Sequence, residues 1–130
     1  MYKKYILLFI LFMSIPLNLS WGMLPNEMED KYVTIRCKES GKSLDSWDAD
    51  TDKVGKAESH YNGHQYYEKQ LWKIHRENPG ESPAFYKIRC KETGKALDSW
   101  HWETDFVGKA ESHDTGHEFY EKQLWMIDKG

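Results

Sequence analysis

The chain has 130 residues, with 18 basic and 21 acidic side chains, six tryptophans and two cysteines, enough for one small domain once any leader is removed. The formal net charge is −3 and no dense basic run occurs, which argues against nucleic acid as a partner. There is no nucleophile motif, phosphate loop or cofactor fingerprint, and the acidic pairs Asp50 with Asp52 and Glu103 with Asp105 read as solvated loop charge. No enzyme and no cofactor is therefore expected.

Residues 1–22 place Lys3 and Lys4 ahead of an apolar run from Tyr5 to Leu17, followed by the small residues Ser20 and Gly22. This is the pattern of a secretory signal peptide, and its apolar run is short of the ~20 residues that a spanning helix needs. The expectation is a secreted protein with no membrane span in its mature form. Without Lys3 and Lys4 the balance is 18 − 2 = 16 basic against 21 acidic side chains, a formal charge of −5. Residues 23–31 are acidic, contain Pro25 and show no period, so they read as a lead-in.

From there the chain is a duplication. Ile35–Trp47, IRCKESGKSLDSW, returns as Ile88–Trp100, IRCKETGKALDSW, at an offset of 100 − 47 = 53 residues. The same offset carries Cys37 onto Cys90, His60 onto His113 and Trp72 onto Trp125 without a gap. Repeat 1 spans 32–77 and repeat 2 spans 85–130; about 29 of their 46 positions are identical, and the two together are expected to form one domain.

Within repeat 1, Tyr32–Lys38 alternates and is rich in β-branched and aromatic residues, which predicts a half-buried strand. Glu39–Lys42 predicts a tight turn on Gly41. Ser43–Trp47 predicts a second strand, Asp48–Lys53 a polar acidic loop, Val54–His60 a third strand and Gln70–His75 a fourth. Residues 78–84, with two prolines and a glycine, predict a linker, after which repeat 2 makes the same four strands. No helical period occurs in the mature region, so the fold class is all-β. Trp72 and Trp125 are expected in the core, whereas Trp47, Trp100 and Trp102 stand at loop entrances where a ring can face a ligand.

Secretion favours a disulfide between Cys37 and Cys90, which would require the two repeats to face each other; buried free thiols and a bridge between chains are the alternatives. His60 with His64 and His113 with His117 have the spacing of helical metal ligands, but Gly63 and Gly116 predict turns, and no metal site is expected.

Ser40-Gly41-Lys42, Leu44-Asp45 and Gln70-Leu71-Trp72, repeated as Thr93-Gly94-Lys95, Leu97-Asp98 and Gln123-Leu124-Trp125, resemble the lobes of ricin B-type β-trefoil lectins. The segments His60–His64 and His113–His117 are also similar to those of mytilectins. The resemblance implies a β-trefoil-like fold made of two tandem four-stranded modules, either an incomplete trefoil or a pseudo-twofold barrel. It further implies a non-catalytic carbohydrate-binding protein with glycans or glycoproteins as partners. Asp45 and Asp98 would accept sugar hydroxyls, His60 and His113 would stack on the sugar ring, and Gln70 and Gln123 would be supporting donors; from their loop-entrance positions Trp47 and Trp100 are the other candidates for the ring-face contact. The Asn that precedes the Gln in that family is replaced by Lys69 and Lys122, and the mytilectin His-Pro-Lys-Gly-Gly segment has no counterpart at Asp45-Ser46-Trp47. Two lobes of a threefold core would also leave apolar strand faces open, so self-association is expected. The other functional reading is a secreted inhibitor or toxin-like protein that uses this scaffold against a protein target.

Overall fold

A computed structural model describes residues 24–127; the signal-like segment and the last three residues lie outside the described residues. The elements of repeat 1 are β1 (Tyr32–Val33), β2 (Ser43–Asp45), β3 (Gly55–Ala57), the 3-10 turn η1 (Tyr67–Gln70) and β4 (Trp72–Arg76). Repeat 2 supplies β5 (Tyr86–Cys90), β6 (Ala96–Asp98), β7 (Gly108–Ala110) and the 3-10 turn η2 (Tyr120–Gln123). A five-stranded antiparallel sheet runs in the order β1-β4-β5-β6-β7, and β2 pairs with β3 in a second, two-stranded sheet. The larger sheet does not close on itself.

The two repeats are joined along β4 and β5, whose register sets Trp72 opposite Cys90, Ile74 opposite Ile88 and Arg76 opposite Tyr86. This seam is also the core. Trp72, Ile74, Tyr86, Ile88, Cys90 and Leu97 are buried together with Leu24 from the lead-in, whose backbone N–H donates to the Tyr86 hydroxyl at 3.0 Å. Each fully buried side chain of this size contributes about 1.5–3 kcal/mol. The Trp of each Gln-X-Trp ties the module to itself: Trp72 Nε1 donates to the Leu44 carbonyl at 3.1 Å, and Trp125 Nε1 to the Leu97 carbonyl at 3.0 Å.

The predicted turns form where glycine permits them, with Gly41 at φ 71° and Gly94 at φ 72°. The predicted strands are longer than the observed ones. Tyr32–Lys38 is a strand only at Tyr32–Val33, with an isolated bridge from Arg36 to Ser43, and the last strand of repeat 2 is reduced to a bridge between Tyr86 and Trp125. β1 stands at the edge of the larger sheet, paired with β4 on one side. The 3-10 turns before each Trp were also not expected, since four residues are too few to show a helical period.

Of the readings open for the two cysteines, the bridge within the chain is not formed: both thiols are free, Cys90 buried and Cys37 exposed. The physical reason is the seam: Cys90 lies inside it, opposite Trp72, whereas Cys37 is exposed on the far side of repeat 1. The repeats sit side by side in sequence order, so equivalent positions do not meet across a twofold axis. Trp72 is fully buried, as expected, but Trp125 is only half-buried.

Candidate functional site

Each repeat folds one shallow concavity around its Leu-Asp-Ser-Trp segment. The first, about 340 Å³, is lined by Asp45, Trp47, Asp48, Ala57, His60, Tyr66 and Lys69. The second, about 290 Å³, is lined by the seven residues 53 positions on: Asp98, Trp100, His101, Ala110, His113, Phe119 and Lys122.

The floor of each is a carboxylate held from behind. Asp45 is 4% exposed; its Oδ1 accepts the Trp47 backbone N–H at 2.7 Å and its Oδ2 accepts Gln70 Nε2 at 3.1 Å. Asp98 makes the same pair of bonds to the Trp100 N–H at 2.7 Å and to Gln123 Nε2 at 3.2 Å. A carboxylate offers about four lone-pair sites, so two donors leave acceptor capacity for a ligand. The bond from Asp to the residue two ahead makes a local turn that carries Trp47 to φ 62° and Trp100 to φ 65°. A bulky residue in that left-handed region costs on the order of 1–3 kcal/mol, and such strain concentrates at functional sites. Here it lays each indole over a glycine. A Cβ on Gly55 would sit 3.3 Å from Trp47 Cε3, and one on Gly108 would sit 3.1 Å from Trp100 Cε3. The rings remain 46% and 39% exposed, as platforms at the pocket wall.

The opposite wall comes from the His-X-X-X-His turn. His60 and His64 stack with centroids 3.9 Å apart and planes within 4°, and His113 and His117 stack at 3.8 Å and 3°. Stacked rings turn their faces, not their lone pairs, to each other, which does not build a shared metal site. Among the described residues no group of three His, Cys, Asp or Glu side chains could hold a metal ion. The outer rings are fixed by their Nδ1 atoms, which accept the Tyr66 N–H in one repeat and the Phe119 N–H in the other, each at 3.1 Å. Tyr66 and Phe119 tilt against these pairs and close the wall.

Six of the eight residues expected to bind sugar therefore line the two concavities: Asp45, Trp47 and His60, then Asp98, Trp100 and His113. Gln70 and Gln123 lie behind them, fully buried. Gln70 donates to Asp45 and to the Glu58 carbonyl while accepting the His60 backbone N–H, and so ties the carboxylate to the backbone that carries His60; Gln123 does the same for Asp98, Glu111 and His113. Tyr66 and Phe119 were missed, although an aromatic at the same offset in both repeats was the available signal. Lys69 fills part of the wall in repeat 1, where its Nζ donates to the Trp47 carbonyl at 2.7 Å; Lys122 instead lies 4.8 Å from the Phe119 ring centroid. Trp102 does not line either concavity and is 85% exposed.

A family model described as ricin-type beta-trefoil lectin domain-like matches residues 17–111. The chain belongs to the ricin-type β-trefoil lectin-like family. Its all-β fold of two lobes agrees with a solved structure of a designed threefold-symmetric protein, ThreeFoil, with a TM-score of 0.55 and 25% identity over 78% of this chain and 67% of that one. No curated protein matches. In each module the buried Gln bonds the Asp and the Trp of Gln-X-Trp bonds the carbonyl of the Leu before that Asp, while the Asp, the Trp two residues after it, the first His and the aromatic six residues after that His line the concavity.

Proposed function

We propose that the protein is a secreted, non-catalytic lectin that holds one saccharide unit in each of its two concavities. The observation that supports this best is that the same constellation is built twice: a carboxylate with spare acceptor capacity beside an indole in a left-handed conformation, facing a stacked imidazole pair. A pyranose presents hydroxyl donors on its edge and an apolar C–H face, and a carboxylate flanked by aromatic ring faces is complementary to both. The sites are shallow, so each contributes modest affinity, and two on one chain act together on a multivalent glycan or glycoprotein. Secretion is supported by the sequence of residues 1–22. The side chains in the concavities bind and orient.

The test is a glycan array on the purified protein, followed by titration of the best ligand. Binding should weaken by more than about tenfold when Tyr66→Ala and Phe119→Ala are combined, as about 1.4 kcal/mol is lost with each ring contact. Both side chains are over 40% exposed, so the fold should be retained. Failure to bind any glycan at high protein concentration would overturn the reading.

A further inference from the structure

The seam between the repeats is one joint with two halves, and the chain carries a second, unused copy of each half. On the leading side of repeat 2, Lys109 is fully buried, and its Nζ donates to the backbone carbonyls of Ser46, of Asp48 at 2.5 Å and of Lys53 at 3.0 Å. Burial lowers the pKa of this lysine, but the three carbonyls match the three N–H donors of an ammonium group. Gly108 approaches so closely that an added Cβ would lie 2.7 Å from the Asp52 carbonyl oxygen, and Cys90 is 1% exposed opposite Trp72. On the trailing side of repeat 1, Ser46 and Trp72 are fully buried and Val54 packs against the core.

The twins of these residues are all more open than they are. Lys56 and Cys37, the leading side of repeat 1, are exposed, and nothing but the Trp47 ring stands near Gly55. On the trailing side of repeat 2, Ser99 is exposed, Val107 is 42% exposed and Trp125 is half-buried. The carbonyls equivalent to the lysine cage belong to Ser99, His101 and Phe106, in a loop whose Trp102 and Phe106 are 85% and 73% exposed. Open lysine and open cage are thus on opposite outer edges of one chain.

We infer that the chain self-associates head to tail, with Lys56 of one copy entering the Ser99, His101 and Phe106 carbonyl cage of a second. The joint is heterologous, and a threefold arrangement of lobes leaves space for one further repeat beside a joined pair. A second copy fills that space with one of its repeats and swings the other out on the 78–84 linker, a domain swap. The smallest assembly with no open edge is three chains: six repeats in two closed trefoils, the middle chain giving one repeat to each. Three separate chains hold three joints and this assembly holds six, so the joint that is opened is more than replaced. The same contacts that bury Cys90 then bury Cys37.

The experiment is light scattering and thiol modification of the purified protein over a dilution series. A mass of three chains should grow with concentration, and Cys37 modification should slow by at least about tenfold as the assembly forms. Lys56→Glu should abolish the trimer and leave Cys37 reactive at every concentration, while its far-UV dichroism stays unchanged because Lys56 is a surface residue in the single chain. A monomer at the highest concentration reached, an assembly in which Cys37 stays reactive, or a trimer that persists in Lys56→Glu would each overturn the inference.

Discussion

Ile35-Arg36-Cys37-Lys38 and Ile88-Arg89-Cys90-Lys91 are the same four residues in the same order, and they do not fold alike. The second lies at the end of a five-residue strand with Cys90 buried; the first leaves its strand after Val33, and Cys37 is exposed. Propensity is identical in both, so the difference is the neighbour. β5 has β4 along its length, whereas among the described residues no strand pairs with the stretch after β1 on that side. Strand formation here is decided by cross-strand packing, as the context dependence of β-propensity implies.

This comparison is tested by making the same substitution in both repeats. The largest gap is expected at the lysines. Lys109→Met leaves one buried and two partly buried carbonyls without their cation, which should cost about 3–5 kcal/mol in denaturant unfolding, while Lys56→Met in dilute protein should fall within about 0.5 kcal/mol of the parent. Trp72→Ala should cost about 3–5 kcal/mol, and Trp125→Ala, at a half-open position, clearly less. Gly108→Ala forces a methyl group against the Asp52 carbonyl and should cost about 1–3 kcal/mol. Gly55→Ala meets only the edge of the Trp47 ring, which can shift, and should be milder. Equal losses in both members of any pair would break the account of the seam.

The thiols give the smallest but simplest contrast. The backbone N–H and the hydroxyl of Ser40, then the Glu39 N–H, hold the Cys37 thiol below its ordinary pKa. In dilute protein Cys37 should therefore react with an alkylating reagent at lower pH than a free cysteine, and Cys90 should react only on unfolding. One fast and one protected thiol per chain, read by mass spectrometry, is the expected outcome.

Much of this was legible in the sequence, for reasons that differ by residue. The offset of 53 exposed the duplication, and the Gly41 and Gly94 turns followed from the glycines. Asp45 and His60, with their twins, were singled out because a resemblance suggested roles for them, and Trp47 and Trp100 because an indole at a loop entrance can face a ligand. What the sequence did not show depended on partners far along the chain. Lys109 reads as a solvated charge until three carbonyls from 56 to 63 residues away surround it. Gln70 reads as a ligand donor until both its amide hydrogens are found spent on Asp45 and Glu58. The choice among the readings of the two cysteines was open for the same reason, since an even cysteine count says nothing about which side of a seam each thiol occupies.

The two concavities are the counterpart of the seam: there the repeats do behave alike, because each pocket is lined by residues of its own repeat. Titration calorimetry with the glycan that the array selects tests this most directly. Two sites per chain are predicted, falling to one in Tyr66→Ala alone and to one in Phe119→Ala alone. No heat with any glycan, or a stoichiometry that neither substitution changes, would contradict the account.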